Sequence, residues 1–304
     1  MLNYTLSDIP PGQHVLSVSG GKDSTAMYLL ALHNGITFRP VFADTGNEHE
    51  LTLDYLRELH VKTGGPVVEF VQADFTADLE HRKRVISTKW KKEGVSQEII
   101  DSAVRNTAPS GNLFLDMCLA ESIFPGGTVR FCSKSLKRDP LIEFCLSITG
   151  EVVSWIGVRA EESVSRRSAK RIERLSDTYC TFRPIVDWTL DNVLGIHKKH
   201  GIELNPLYQK GMSRVGCMPC IYSNKSDIRA IAENFPEHID KIRRWEEVML
   251  HSRKSKIPTF FSTNKSPRGD GGIDAVVAWA MTNRKGEDVP EVEHSCMSTT
   301  GLCE

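Results

Sequence analysis

Apolar and polar positions alternate along this chain in a pattern typical of an α/β protein. An apolar run at Val15, Leu16 and Val18 is followed by a segment whose apolar residues recur at helical spacing, as at Leu29 and Leu30. The pattern predicts further strands at 36–43, 66–71, 151–158 and 182–186, and helices at 51–59, over most of 74–120, and at 189–200, 225–250 and 273–282. Strands that alternate with helices indicate a doubly wound, mostly parallel sheet with right-handed crossovers.

The first strand ends in a glycine turn, Ser19-Gly20-Gly21-Lys22-Asp23-Ser24, directly before the first helix. Adjacent glycines permit a sharp turn that presents backbone N–H groups at a helix N-terminus, where the dipole favours anions. Lys22 and Ser24 add a cation and a hydroxyl, so this phosphate loop (residues 19–24) predicts a phosphate or pyrophosphate site. It is not the common GxxxxGK[ST] loop, because that pattern would require glycine at Leu16 and Ser or Thr at Asp23.

Two other predicted strands deliver polar residues to the same edge of the sheet. Asp44-Thr45-Gly46 follows the second strand, and Arg159 follows the strand at 151–158. Ligands of parallel sheets lie beyond the carboxyl ends of the strands, so these residues are expected near the phosphate loop. Asp44 can bind the ribose or base of a nucleotide or a magnesium ion, or it can simply form the turn.

The charge of the chain matters only locally. A formal net charge of −1 and a pI near 6.8 give no general attraction to polyanions. Basic side chains cluster at 81–92 and again at 159–174. The first cluster suits either a nucleic-acid backbone or a solvated helix face. The second is interpreted as a mobile loop that closes over a polyanionic substrate, because guanidinium groups bind phosphate bidentately, with a plain surface loop as the alternative.

Composition places the chain among ordinary globular proteins. With 304 residues, of which 40% are hydrophobic and 25% charged, a sizeable core is expected. No apolar run approaches the roughly 18 residues of a membrane span, and the first residues lack the pattern of a signal peptide. We therefore expect a cytoplasmic protein with no membrane partner, in which residues 1–210 form a nucleotide-binding α/β domain and residues 211–304 a helical region packed on it.

The eight cysteines suggest one metal site. In a reducing compartment, a Cys-x-x-Cys pair indicates metal rather than a disulfide. The predicted ligands are Cys217, Cys220, Cys296 and Cys303. Four thiolates suit both structural zinc and a [4Fe–4S] cluster, and the spacing does not choose between them. Cys132 is the reserve ligand or a redox-active thiol. The cysteines in apolar sequence are predicted to be core residues: Cys118, Cys145 and Cys180.

The phosphate loop resembles the signature of the PP-loop ATP pyrophosphatases, the adenine nucleotide alpha hydrolase-like superfamily. Later blocks resemble the phosphoadenosine phosphosulfate reductase family within it. These blocks are Phe131 to Lys137, Ile156 to Ser163, Arg183 to Trp188, and Asn205 to Tyr208 through Cys220. The resemblance spans residues 15–220 and implies the fold of that superfamily.

The resemblance implies one of two chemistries. Members either cleave ATP between the α and β phosphates, adenylylating an acceptor and releasing pyrophosphate, or reduce an adenylyl sulfate. The reductases carry a nucleophilic cysteine in a tail close to Glu-Cys-Gly-Leu-His, a string this sequence lacks. The preferred hypothesis is therefore an ATP pyrophosphatase of sulfur transfer, similar to those of DNA phosphorothioation, with DNA as acceptor and a cysteine desulfurase or other phosphorothioation proteins as partners.

Two alternatives are kept. One is a phosphoadenosine or adenosine phosphosulfate reductase that produces sulfite from its sulfonucleotide. The other is a non-catalytic nucleotide- or nucleic-acid-binding module stabilised by zinc.

The preferred hypothesis implies a role for each motif residue. Lys22, Asp23 and Arg159 are the expected catalytic residues, and Asp23 or Asp44 is expected to position Mg²⁺. The predicted nucleotide-binding set is Ser19, Gly20, Gly21, Lys22, Asp23, Ser24, Asp44, Thr45, Gly157 and Arg159. The predicted contacts to other substrate phosphates are Lys137, Arg166 and Arg167. The expected cofactors are ATP, Mg²⁺ and either a [4Fe–4S] cluster or Zn²⁺.

Overall fold

A six-stranded sheet organises the protein. The computed structural model describes residues 4–127, 129–254, 258–261 and 271–282. The strands, in the spatial order β3-β2-β1-β4-β6-β5, are β1 (Gln13–Ser17), β2 (Phe38–Asp44), β3 (Glu69–Gln72), β4 (Val152–Trp155), β5 (Ile172–Arg174) and β6 (Tyr179–Phe182). All neighbours pair in parallel except β5, which runs antiparallel to β6 at one edge. The predicted doubly wound, mostly parallel sheet is confirmed.

Helices fill the connections and the C-terminal part of the described chain. They are α1 (Lys22–His33), α2 (Glu50–Thr63), α3 (Thr76–Val85), α4 (Gln97–Asn106), α5 (Leu113–Glu121), α6 (Asp139–Leu146), α7 (Leu190–His200), α8 (Lys225–Asn234), α9 (Pro236–His251) and α10 (Gly272–Ala280). Short π-helical turns follow α3 at Ile86–Trp90 and precede α6 at Ser133–Arg138. Short 3₁₀ turns lie at Ala160–Glu162, Val164–Arg166 and Pro206–Lys210.

Both faces of the sheet are covered. On one face, apolar residues of α1, α2 and α7, such as Leu29, Leu56 and Ile196, pack with Leu16 and Trp155 of the strands. On the opposite face, Leu141 and Cys145 of α6 pack against Val15, Val41 and Val152. Burial on both sides explains why all four residues of β4 are buried and why Val15 and Leu16, at the centre of β1, are apolar, as expected for central parallel strands.

The order of the strands creates a switch point between β1 and β4. The chain winds outwards from β1 through β2 to β3 and then returns to the other side of β1 as β4. Loops that leave adjacent strands in opposite directions open a crevice at the carboxyl ends, which is where such sheets bind ligands. The phosphate loop after β1 and the segment from Ile156 to Arg159 after β4 flank this crevice.

A second apolar core joins the middle of the chain to its C-terminal part. Phe114 of α5 stacks on Trp245 of α9 with ring centroids 5.3 Å apart, and both contact Phe260. Residues from α3, α5, α8, α9 and α10 belong to this one cluster. The boundary at residue 210 stays a prediction, since residues on both sides of it share this core.

Three predicted elements differ from those observed. The strand expected at 182–186 lies earlier, at Tyr179–Phe182, and the following residues turn. The helix expected at 225–250 is two helices, because Pro236 has no N–H to donate to a carbonyl one turn earlier and starts α9 instead. The segment at 159–174 contains an edge strand and two 3₁₀ turns rather than only an irregular loop.

No helix among residues 4–127, 129–254, 258–261 and 271–282 is both long enough and apolar enough to cross a membrane.

Candidate functional site

The phosphate loop is held by its own serines. The Ser19 N–H donates to Ser24 Oγ at 3.0 Å, and the two hydroxyl oxygens lie 2.9 Å apart. Ser24 Oγ also donates to the Gly21 carbonyl at 3.1 Å. Gly20 has φ +78°, and a Cβ there would lie 2.9 Å from Thr52 Cγ2, so only glycine fits. The loop is therefore shaped before any ligand binds.

Asp23 joins the two predicted catalytic cations. Its side chain is fully buried, with one oxygen accepting from Lys22 Nζ at 2.7 Å and the other from Arg159 Nε. The Arg159 side chain is only 6% exposed and also donates to Glu161 at 2.6 Å, whereas the Lys22 side chain is 25% exposed. Burial alone would lower the pKa of Arg159, but the charges of Asp23 and its neighbours raise it overall. Lys22 is thus the cation of this trio that a ligand can reach.

Residues distant in sequence support the loop from behind. His197 of α7 lies with Nε2 2.8 Å from the Lys22 carbonyl and Nδ1 3.3 Å from the Ile202 carbonyl. The Lys22 N–H donates to the Tyr208 hydroxyl at 3.2 Å, and Asn205 Nδ2 donates to the Gly20 carbonyl at 3.3 Å. None of these supports was identified from the sequence, because α7 and the turn after it meet the loop only through tertiary packing.

Replacing His197 with glutamine should make stability less dependent on pH. Burial lowers the pKa of His197, so the unfolded chain takes up a proton at this residue near pH 6.5 while the folded protein resists it. The unfolding free energy therefore falls as the pH drops below about 6.5, by at most about 1.4 kcal/mol per pH unit for one group. Glutamine keeps an N–H donor for the Lys22 carbonyl but does not titrate.

Urea unfolding at about pH 7 and pH 5 measures this effect, with His81→Gln at an exposed position as the matched control. The same loss of stability in His197→Gln as in the wild type would contradict it.

The end of β4 approaches the start of α1 closely. A Cβ on Gly157 would lie 3.4 Å from the backbone of Ser24, about van der Waals contact, so Gly157 packs directly against the phosphate loop. The structure thus places Gly157 against Ser24, next to the Asp23–Arg159 pair.

The residues after β2 form a tight turn. Asp44 accepts from the Gly46 N–H at 2.9 Å and from Gln72 Nε2 at 2.8 Å, while remaining partly exposed. Thr45 is buried and donates its hydroxyl to Glu48 Oε1 at 2.7 Å. Because β1 and β2 are parallel neighbours, this turn and the phosphate loop lie at the same edge of the sheet.

The other predicted phosphate contacts have different surroundings. Arg166 is buried and pairs with Glu162 of the preceding 3₁₀ turn, whereas Arg167 is exposed. Lys137 lines a pocket together with Thr45, which follows Asp44.

That pocket contains three cysteines. Cys132, Cys217 and Cys220 line it together with Lys137 and Arg214. Cys132, treated above as a reserve, thus joins the Cys-x-x-Cys pair, while Cys296 and Cys303 lie outside the described residues. Burial raises the pKa of the Cys132 thiol to about 11 and that of Cys217 to about 12. Three other cysteines are buried among apolar residues, as predicted: Cys118, Cys145 and Cys180.

Within the described part of the chain, one group of three His, Cys, Asp or Glu side chains has potential metal-ligand atoms that all lie within 4.8 Å of one another. This group is His49, Glu237 and His238. His238 suits a metal, because its Nδ1 faces the Met218 carbonyl at 3.0 Å and leaves Nε2 as the acceptor. His49 does not suit one, because its Nδ1 already accepts the Leu51 N–H at 3.0 Å, which places the ring proton on Nε2. The two rings are also stacked at 5.0 Å, and burial, together with the nearby Lys241 charge, lowers the pKa of both. We do not assign a metal to this group.

Comparison with known proteins places these motifs in a wider context. The profile of the phosphoadenosine phosphosulfate reductase domain matches residues 13–223. An uncharacterized 37.8 kDa protein of Escherichia phage 186 is 39% identical over 300 residues, covering 90% of this chain and 89% of the phage protein. Adenosine 5'-phosphosulfate reductase of Geobacillus thermodenitrificans is 30% identical over 92 residues, which are 29% of this chain and 37% of that enzyme.

Among solved structures, the phosphoadenylyl-sulfate reductase of Candida auris in its phosphate complex is similar to this protein. The similar region covers 69% of this chain and 83% of the reductase chain. The TM-score is 0.42 and the sequence identity 14%.

Proposed function

Because the chain belongs to the phosphoadenosine phosphosulfate reductase domain family, we propose that it is an ATP pyrophosphatase that adenylylates an acceptor for sulfur transfer, with DNA as the acceptor. The observation that carries this proposal is the arrangement of Lys22, Asp23 and Arg159 at the N-terminus of α1. Two cations fixed by one buried carboxylate at a preshaped glycine loop suit the charge of a pyrophosphate leaving group.

The geometry supports different roles for the charged residues at and near the phosphate loop. Lys22, the more exposed cation, contacts the β- and γ-phosphates at the N-terminus of α1. Arg159 is buried against Asp23, so it adds its positive charge to the field at the α-phosphate without contacting the phosphate. Asp23 is fully buried between these cations, so we assign it to positioning them and assign Mg²⁺ to the more exposed Asp44 carboxylate.

The adenylylation step needs no redox partner. An acceptor oxygen attacks the α-phosphorus, the bond from that phosphorus to the bridging oxygen breaks, and pyrophosphate leaves with its two electrons. In the second step of this proposal, persulfide sulfur from a cysteine desulfurase attacks the adenylylated acceptor and AMP leaves. A thiol reductant then supplies the two electrons that cleave the resulting disulfide and release the thiolated acceptor.

The cysteine pocket fits an iron–sulfur cluster better than one zinc ion. Sulfurs bound to one tetrahedral zinc lie about 3.8 Å apart, from a Zn–S distance of about 2.3 Å. Among the described residues, the one three-residue group whose ligand atoms all lie within 4.8 Å of one another is the set of His49, Glu237 and His238. The sulfur atoms of Cys132, Cys217 and Cys220 therefore do not all lie within that distance of one another. A [4Fe–4S] cluster binds each thiolate through a separate iron, and it would supply electron-rich sulfide chemistry at this pocket. Cys296 or Cys303 would be the fourth ligand.

Removing a pocket cysteine should remove the metal without unfolding the protein. Cys132→Ala and Cys217→Ala are expected to lose most of the iron and the visible absorbance of anaerobically purified protein. Cys145→Ala, a buried cysteine of the sheet core, is the matched control and should keep both. A colourless wild-type protein that contains about one zinc would contradict the cluster assignment.

Release of pyrophosphate tests the main proposal. Anaerobically purified protein is incubated with ATP, Mg²⁺ and duplex DNA, and pyrophosphate and AMP are measured with and without DNA. We expect one AMP bound to DNA for each pyrophosphate released, because no sulfur donor is present to displace the AMP, and at least a tenfold stimulation of pyrophosphate release by DNA. Failure to bind ATP, or to release pyrophosphate with any acceptor, would overturn the proposal.

A sulfonucleotide reductase is the second candidate, favoured by the similarity to adenosine 5'-phosphosulfate reductase over 92 residues. It requires sulfite formation from adenosine 5'-phosphosulfate or its 3'-phosphorylated form with thioredoxin as reductant. Sulfite formation that is lost in Cys296→Ser or Cys303→Ser, without loss of metal, would establish this alternative.

A further inference from the structure

The turn after β2 is hydrogen-bonded to the segment that carries Cys217. We call residues 45–49 the β2 loop and residues 217–220 the cysteine loop. The Met218 N–H donates to the Asn47 carbonyl at 2.6 Å, and Asn47 Nδ2 donates to the Pro219 carbonyl at 3.0 Å. Glu48 and Cys217 also form an isolated antiparallel bridge. The two loops are therefore held together by hydrogen bonds.

Side chains strengthen the same junction at Cys217. Its thiol donates to Glu48 Oε1 across 3.7 Å, and Thr45 Oγ1 lies 3.4 Å from the same sulfur. Glu48 also accepts the Thr45 N–H at 3.1 Å and the Thr45 hydroxyl at 2.7 Å. Thr45 is thus placed between the turn at Asp44 and the sulfur of Cys217.

The junction is buried and depends on few bonds. Asn47 is completely buried, and its Oδ1 has no hydrogen-bond partner among the described residues, so Nδ2 alone anchors the side chain. Buried hydrogen bonds between loops resist displacement, because each group that loses its partner also lacks water. A shift of one loop must therefore move the other.

We propose that Asn47 and Glu48 are positioning residues that hold the cysteine loop against the β2 loop, so that metal at the cysteines and nucleotide at the phosphate loop change each other's affinity. This inference rests on the proposed function, since it requires both a nucleotide and a cysteine-bound metal.

The hydrogen bonds at Cys217 explain how the coupling acts. A metal-bound sulfur carries no proton, so it can accept a hydrogen bond but cannot donate one to Glu48. The Thr45 hydroxyl is the donor nearest to that sulfur in this junction, and turning toward it breaks the bond to Glu48. Metal loading thus rearranges the residue that follows Asp44, which we assign to Mg²⁺ and the nucleotide.

Two affinities measure the coupling. ATP binding is measured by calorimetry on Co²⁺-loaded protein and on chelator-treated protein under reductant. Binding of Co²⁺, followed by its thiolate absorption, is measured on chelator-treated protein with and without ATP. We expect at least a fivefold difference in each affinity, and the two factors must be equal because linkage is reciprocal.

Asn47→Ala should reduce both factors to less than twofold while leaving ATP and Co²⁺ binding measurable. Glu48→Gln keeps an acceptor oxygen and should retain part of the coupling, which a merely structural role at this site would not predict. Asn106→Ala is the matched control, because Asn106 bonds only within α4 to the Ser102 carbonyl.

The outcomes separate this inference from the proposed function. Equal ATP affinity with and without metal in the wild type overturns the coupling but leaves the pyrophosphatase intact. Unchanged coupling in Asn47→Ala overturns the role of Asn47. Failure of the wild type to bind ATP in either state overturns both proposals. If Asn47→Ala does not fold, the coupling factors of the Glu48 variants decide the role of the junction. Loss of coupling in Glu48→Ala with partial coupling in Glu48→Gln supports that role, and full coupling in Glu48→Ala overturns it.

Discussion

Replacing Lys22 by alanine is expected to lower the rate of pyrophosphate release at least about 100-fold. Loss of one fixed donor to a developing oxyanion typically costs about 10²- to 10³-fold in rate, because water does not replace it in the closed site. Lys22 is the more exposed of the two cations that Asp23 fixes, at the N-terminus of α1. Its loss removes the charge that faces the pyrophosphate.

Initial rates of pyrophosphate release from ATP, with DNA present, measure this effect. Lys62→Ala is the matched control, since Lys62 lies on the surface of α2 in an exposed pair with Glu58. The thermal midpoint of Lys22→Ala should stay close to that of the wild type, because the Lys22 side chain is partly exposed. A Lys22→Ala variant that releases pyrophosphate at the wild-type rate would contradict the catalytic role of Lys22.

Asp23→Ala is expected to have the largest effect on stability. The Asp23 carboxylate is fully buried and contacts both Lys22 and Arg159, and Arg159 is itself almost completely buried. Removing one partner of a buried ion pair leaves the other charge without compensation, which typically costs about 3–5 kcal/mol. Glu161 still pairs with Arg159, so we expect a loss near about 3 kcal/mol, at the lower end of that range.

Urea unfolding of the wild type and Asp23→Ala measures this loss. Asp54→Ala is the matched control, because Asp54 forms an exposed pair with Arg57 at 3.0 Å and should contribute less than about 1 kcal/mol. Asp23→Asn should fall between them, since an amide keeps one acceptor oxygen without the charge. Equal stability of Asp23→Ala and Asp54→Ala would show that the buried network does not stabilise the fold.

Local patterns were sufficient for the sheet and for the phosphate loop. The run from Val15 to Val18 is apolar because β1 is buried on both faces, and the glycine turn after it requires a backbone that only glycine adopts at Gly20. Both requirements act on adjacent residues, so they are visible in the sequence. The break at Pro236 was also visible, but the apolar spacing on either side of it resembles one long helix.

Sites assembled from distant segments were harder to predict from the sequence. Cys132 is 85 residues before Cys217 in the sequence, and only the packing of the π-helical turn at Ser133–Arg138 against the cysteine loop puts both in one pocket. The basic segment at 159–174 is the opposite case, because there the residue type suggests a ligand contact and the tertiary packing does not. Arg166 has the residue type of a phosphate ligand, but its side chain is buried against Glu162.

The sequence by itself determined the parallel sheet, the glycine loop and the side chains that follow β1, β2 and β4, because each depends on residues close together in the chain. Tertiary structure alone decided that Asp23 is the buried partner of Arg159, that His197 supports the loop, and that Asn47 and Glu48 contact the cysteine loop. Each of these contacts joins segments more than 100 residues apart in the sequence, so their burial and hydrogen-bond geometry are encoded in no local pattern.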